Sequence, residues 1–130
     1  MKQYQAAAYM RLSVASSREL ESESIANQEK IIQYFVDKNP DIEIVSKRID
    51  DGYSGIVFER PAFIEMIQDV LYGKIDCIIV KDLSRFGREA IETGRYLRKI
   101  LPAYGVRFIA ILDQIDTNRI PANDDFLLQI

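Results

Sequence analysis

The sequence predicts an α/β protein, a three-layer α/β/α sandwich built on a mainly parallel sheet of four to five strands. Strand-like and helix-like segments alternate in the order β-α-β-α-β-α-β. The third strand contains Cys77-Ile78-Ile79-Val80, an unbroken apolar run of the kind a strand covered on both faces requires. The chain has 130 residues, 48% hydrophobic and 28% charged, which suits one domain with a sizeable core.

Each element has its own signal. Tyr4–Leu12 reads as a strand with Ala6, Ala8 and Met10 on one face. Ser24–Lys38 reads as a helix whose apolar side is Ile25, Ile31, Ile32, Phe35 and Val36, stopped by Asn39-Pro40. Ile42–Ile49 is the second strand. Pro61 suits a helix start, Phe63, Met66, Ile67, Val70 and Leu71 form that helix's stripe, and Gly73 ends it. Asp76–Val80 is the third strand. A helix from about Arg88 to Leu101 follows, with Ile91, Leu97, Ile100 and Leu101 inward and Pro102 near its end, and Val106–Leu112 is the fourth strand.

Composition narrows the chemistry. There is no histidine, which removes Ser-His-Asp and Cys-His nucleophilic sites and most zinc sites. The single cysteine, Cys77, excludes an intrachain disulfide, reads as core, and fits a reducing, cytoplasmic setting. The longest apolar runs, Ala6–Met10 and Phe108–Leu112, are too short to span a membrane. The net charge of −3 advertises no general nucleic-acid surface. The six glycines form neither G-x-G-x-x-G nor G-x-x-x-x-G-K. Where a receiver domain needs an acidic pair after its first strand, this chain has Arg11-Leu12-Ser13.

Sites in parallel sheets form at the carboxyl ends of strands. Four of the ten arginines, Arg11, Arg60, Arg85 and Arg88, fall at or just after strand ends, together with Ser13. Guanidiniums gathered at one place repel unless an anion lies among them, and their planar forks match phosphate oxygens. One reading is therefore a phosphoryl-transfer site with a serine nucleophile. The other is that these arginines pair with Asp50, Asp51, Asp82 and Glu89 on a solvated face.

Four segments resemble the motifs of the serine recombinases: resolvases, invertases, and the large serine integrases and transposases. Tyr9-Met10-Arg11-Leu12-Ser13 resembles the nucleophile motif, and Ser24-Ile25-Ala26-Asn27-Gln28 the S-x-x-x-Q segment that opens the first helix. Asp51-x-x-Ser54-Gly55 followed by Arg60-Pro61 is similar to the second motif, and Leu83-Ser84-Arg85-Phe86-Gly87-Arg88 to the R-x-x-R motif. The long stretch Val14–Glu23 and the segments Lys81–Arg88 and Ile91–Gly94 look most like the large recombinases of mobile elements.

The resemblance implies a resolvase-like fold. It also implies a reaction in which Ser13 attacks a DNA phosphodiester, forms a 5′-phosphoserine link and releases a 3′ hydroxyl, for integration or excision of a mobile element. Arg11, Arg60, Arg85 and Arg88 would form the phosphate clamp, with no metal and no cofactor, and Arg88 a candidate for protonating the leaving oxygen. Gln28 and Asn27 would reach the site from the first helix or form an ordinary polar face. Ser54 and Asp51 would shape their loop, and Lys81 would touch DNA backbone or serve as a strand-end charge. Small resolvases carry Asp where this chain has Ser84, so the proton-transfer role suggested for that Asp does not carry over and the general base is unassigned; Asp82 would cap its loop. Tyr9 reads as packing. The competing function is a non-catalytic anion-binding interaction domain of the same fold.

Residues 1–117 are expected to form the catalytic domain, and 118–130 a loop and helix start, with Asn123-Asp124-Asp125 leading into the apolar Phe126, Leu127, Leu128 and Ile130. Residues 1–112 are neutral, so the domain's own DNA affinity is expected to be weak. On the resemblance, the target site is read mainly by C-terminal domains, and dimer and tetramer contacts follow residue 130.

Overall fold

A computed structural model of the chain describes residues 3–13 and 24–119. These form β1 (Tyr4–Leu12), α1 (Ile25–Asp37), β2 (Ile42–Asp51), α2 (Pro61–Leu71), β3 (Cys77–Val80), α3 (Leu83–Phe86) and α4 (Ala90–Arg95). A π-helical turn (Tyr96–Ile100), α5 (Leu101–Ala103), β4 (Arg107–Ala110) and β5 (Ile115–Asp116) complete them. The sheet order is β2-β1-β3-β4-β5, parallel except for β5, which runs antiparallel to β4.

Helices cover both faces, and the alternation of β1 separates two cores. Ala6, Ala8 and Met10 join Cys77, Ile79 and Ile109 beneath Ile32 and Val36 of α1. Ala7 and Tyr9 face the other way, where Ile78, Val80 and Phe108 meet Phe63, Met66 and Val70 of α2 and, further along the chain, Leu97 and Leu101. The three-layer sandwich expected from the sequence is thus present, with a fifth, two-residue strand at its edge. Because β2 lies on one side of β1 and β3 on the other, the chain reverses direction across the sheet at β1. Loops leaving the carboxyl ends of β1 and β3 diverge there and open a crevice.

Local boundaries differ from expectation in ways that bear on the site. β2 extends to Asp51, so Asp50 is a strand residue opposite Arg11. The segment after β3 forms the one-turn α3, with Asp82 at its N-cap. The expected Arg88–Leu101 helix begins only at Ala90, and its Ile91 is 75% exposed rather than inward. The Leu101 N–H bonds to the Tyr96 carbonyl, five residues back. Pro102 follows with no N–H to give and a ring that would strike the carbonyl four residues earlier; a widened turn relieves that crowding. Regular pairing of β4 stops at Ala110, short of the expected strand end at Leu112, which is exposed, as is Leu71, expected on the apolar stripe of α2.

The expected long segment Val14–Glu23 and the helix start at Asn123-Asp124-Asp125 lie outside the described residues. Among the described residues no helix is long and apolar enough to cross a membrane.

Candidate active site

Ser13 follows β1 directly and is partly exposed at the crevice between the β1 and β3 ends. The loop after β2 is tied to this point, since the N–H groups of Gly52 and Tyr53 both bond to the Leu12 carbonyl. The last β1–β3 pair is Ala8 with Ile79. Beyond it, Gln28 of α1 takes the place of a strand neighbour: its Nε2 donates to the Arg11 carbonyl at 3.0 Å and its Oε1 accepts from the Arg11 N–H at 3.3 Å. Gln28 is fully buried, so the strand end that precedes Ser13 is held by an amide that pairs as backbone would.

The arginines converge, and Arg11 and Arg60 bind mainly backbone carbonyls, partners that neither sequence-based reading named. Arg11 is 0% exposed; its Nε donates to the Arg85 carbonyl at 3.2 Å, Nη1 to the Tyr53 carbonyl at 2.9 Å and Nη2 to the Ser84 carbonyl at 2.6 Å. Arg60, also 0% exposed, donates Nε to the Val57 carbonyl at 2.7 Å and Nη2 to the Phe86 carbonyl at 2.6 Å. Its Nη1 donates to the Tyr9 hydroxyl at 2.8 Å. A single helical turn leaves its last carbonyls without intrahelical partners. Arg11 and Arg60 supply those partners for Ser84, Arg85 and Phe86, with the cationic charge a helix C-terminus favours.

Arg85 is buried and returns the bond, its Nη1 donating to the Arg11 carbonyl at 3.2 Å; its Nε lies 3.7 Å from Asp82. Arg88 is exposed. Its backbone N–H bonds to the Gly55 carbonyl at 2.8 Å, and its Cγ lies close enough that a Cβ on Gly55 would sit 3.0 Å from it. Among the described residues its guanidinium has no hydrogen-bond or ion-pair partner. Of the carboxylates weighed as alternatives, Asp82 pairs with Arg85 across 3.7 Å, while Asp50 and Glu89 are engaged elsewhere. Asp50 binds Tyr9 and the first turn of α2, and Glu89 caps α4. Asp82 caps α3 and accepts from the Ser84 hydroxyl.

The remaining candidates lie around this frame. Ser54 Oγ accepts from the Ile56 N–H at 3.1 Å, closing a turn. The Asn27 N–H bonds to the α1 cap Ser24. Lys81 is buried, only 6% exposed. The sequence analysis missed the weight of Asp50 and Tyr9. The available signal was a second carboxylate at the β2 end, facing a helix whose first residue, Pro61, has no N–H.

Positive charge is in excess here. Burial lowers the Arg11 pKa to about 10, with the charges of Arg60 and Arg85 adding to the effect, so it stays cationic at neutral pH. Burial also lowers Arg60 and, with the Arg88 charge, Arg85. An anion at this point relieves the repulsion among Arg11, Arg85 and Arg88 and opposes the downward shift. Tyr9 is pushed far above the ordinary tyrosine range, chiefly by burial, and so remains a protonated donor. Among the described residues no three His, Cys, Asp or Glu side chains gather to hold a metal ion.

Known proteins share this fold. The N-terminal catalytic domain of TP901-1 integrase superposes with a TM-score of 0.82 at 24% identity, over 96% of this chain and 89% of that one. A resolvase family site-specific recombinase from Streptococcus pneumoniae is 30% identical over 98% of this chain and 85% of that one, with a TM-score of 0.77. The C-terminal catalytic domain of ISC1926 TnpA, an IS607-like serine recombinase, gives 0.67 at 18% identity, over 82% and 66%. No curated protein matches the chain by sequence. The family model described as the resolvase N-terminal domain matches residues 6–130. A buried arginine frame at the β1–β3 switch, beside a strand-end serine, thus accompanies a family match over nearly the whole chain: it belongs to the resolvase family of serine recombinases and carries that family's catalytic domain.

Proposed function

We propose that this domain cleaves and rejoins DNA through Ser13. The Ser13 hydroxyl attacks a phosphodiester, the Oγ–P bond forms, the P–O3′ bond breaks, and the DNA 3′ oxygen leaves as a hydroxyl with a proton from Arg88, which takes one back from solvent. The serine proton passes to a base that we leave unassigned. The 5′-phosphoserine keeps the energy of the broken bond, so a 3′ hydroxyl reverses the step after strand exchange without ATP. Arg88, exposed beside Gly55, contacts the phosphate together with Arg85. Arg11 and Arg60 supply positive potential from beneath while holding the backbone that carries Arg85 and Arg88. Gln28 holds the strand end that bears Ser13, and Ser54, Ser84, Asn27 and Lys81 support the surrounding loops. No step needs a metal, since guanidiniums stabilise the charge on the non-bridging oxygens. The substrate is a recombination site on a mobile element, engaged by a dimer or tetramer of the full-length protein in the cytoplasm.

The observation that carries this reading is the buried excess of guanidinium charge at the switch point, with a partly exposed serine two residues after Arg11 at the end of β1. A carboxylate-paired surface would leave no such excess. In the test, the full-length protein is given end-labelled DNA bearing its site, and the reaction is stopped with detergent. Label is expected on the protein, and none in Ser13→Ala. An adduct that persists in Ser13→Ala overturns the assignment.

A further inference from the structure

Asp50 lies at the end of β2, is 2% exposed, and has three hydrogen-bond donors on one carboxylate. Oδ1 accepts from the Ala62 N–H at 2.9 Å. Oδ2 accepts from the Phe63 N–H at 2.9 Å and from the Tyr9 hydroxyl at 2.8 Å. The N-cap of α2 is Arg60, whose side chain makes no capping bond. Asp50 therefore caps that helix from another strand, its negative charge on the positive end of the dipole.

The same carboxylate reaches the arginine frame. A guanidinium has donors only, so the Tyr9 oxygen accepts from Arg60 and its own proton points to Asp50. Burial keeps that proton in place by raising the Tyr9 pKa. Arg60 is enclosed by the Tyr9, Phe58 and Phe63 rings, 4.6–5.6 Å from its central carbon, and passes the connection on to the Phe86 carbonyl. Its compensating carboxylate stands one hydroxyl away.

We propose that Asp50 is a positioning residue for DNA cleavage, setting the Ser84–Arg88 segment through Tyr9 and Arg60; this rests on the reading of the site given above. The frame explains why a charge so far from solvent is held at this place. Without Asp50, Arg60 is buried with no counter-charge and its grip on the α3 carbonyls weakens. The backbone bearing Arg85 and Arg88 then loosens, and a displacement of about 1 Å at a reacting centre can cost roughly 100-fold in rate.

Asp50→Asn keeps shape and removes charge. Tyr9→Phe cuts the relay but leaves Asp50 on α2, so it separates positioning from capping. At saturating DNA and a temperature where all variants are folded, each is expected to lower the rate of covalent adduct formation by 10- to 100-fold. The double variant is expected to be no worse than the poorer single one, because both act along one path. Hydrogen exchange followed by mass spectrometry on the same proteins is expected to show faster exchange over residues 83–89 in both variants. Exchange over 62–65 is expected to rise only in Asp50→Asn. Unchanged exchange over 83–89, wild-type cleavage in Asp50→Asn, or additive losses in the double variant each overturn the proposal. A wild-type protein that forms no adduct overturns the functional reading instead, and exchange over 83–89 still decides whether Asp50 holds that segment.

Discussion

Replacing Gly55 by alanine disturbs Arg11 while leaving every charged residue in place. A Cβ at this position would lie 2.6 Å from Arg11 Nη2, 2.9 Å from Arg11 Cζ and 3.0 Å from Arg88 Cγ. Arg11 is the far end of a long side chain, but three carbonyls hold its fork, so it yields only by giving up bonds. Overpacking of this kind costs about 1–3 kcal/mol. For a domain of this size that is roughly 3–15 °C in melting temperature. Ile109→Val serves as the control for packing loss alone: Ile109 is buried in the core beneath α1, away from Arg11 and the α3 segment, and such a truncation costs about 0.5–1.5 kcal/mol. Both variants are expected to melt lower. Well below melting, Gly55→Ala is expected to lose about 100-fold in the rate of adduct formation. Ile109→Val is expected to keep cleavage within a few-fold of wild type. Differential scanning fluorimetry and a detergent-quenched cleavage time course read the two effects. Equal cleavage losses in the two variants, or none in Gly55→Ala, would refute the claim that Arg11 frames the site.

Arg88→Ala is expected to melt within about 0.5 kcal/mol of wild type, because the side chain is exposed, while cleavage drops by about 10²–10³-fold. Arg60→Ala is expected to lower stability by about 3–5 kcal/mol, since it strands buried carbonyls and Asp50, as chemical denaturation would show. Burial opposes the charged form of Asp116, but its bonds to Arg107 and the Asn118 N–H outweigh that and hold its pKa below the ordinary value. Its contribution is therefore complete above the unfolded-state pKa of about 4 and is lost as pH falls through the lower folded value. Asp116→Asn should accordingly flatten the acid limb of the stability–pH curve, and an unchanged limb would contradict the assignment. Incubation with a chelator should leave adduct formation unchanged.

What was legible in the sequence was what side chains declare locally. The alternation that sets Ala6, Ala8 and Met10 on one face marked β1 as a strand, and Asn39-Pro40 and Pro61 marked helix boundaries that the structure has. The four strand-end arginines were legible as a group because Arg is conspicuous at the carboxyl ends of apolar strands. Their partners were not, because a backbone carbonyl leaves no mark on residue type. That Arg11 and Arg60 finish the C-terminal end of a one-turn helix depends on α3, which four residues of Leu-Ser-Arg-Phe do not announce. Asp50 was visible only as one of two adjacent acids; its connection to Tyr9 spans 41 residues and its cap on α2 comes from a different element. Ile91 fell on the expected apolar face of a regular helix, and the later start at Ala90 leaves it outside the core.

The central claim is that Ser13 carries the DNA phosphate. The most direct measurement is mass spectrometry of the trapped adduct after nuclease and trypsin digestion. Cleavage after Arg11 and Arg18 places Ser13 in a peptide, Leu12–Arg18, that also contains Ser16 and Ser17. Fragment ions therefore decide among three serines in a single spectrum. The account predicts the residual nucleotide on Ser13, with Ser16 and Ser17 unmodified. A nucleotide on Ser16, Ser17 or any residue outside this peptide would contradict it.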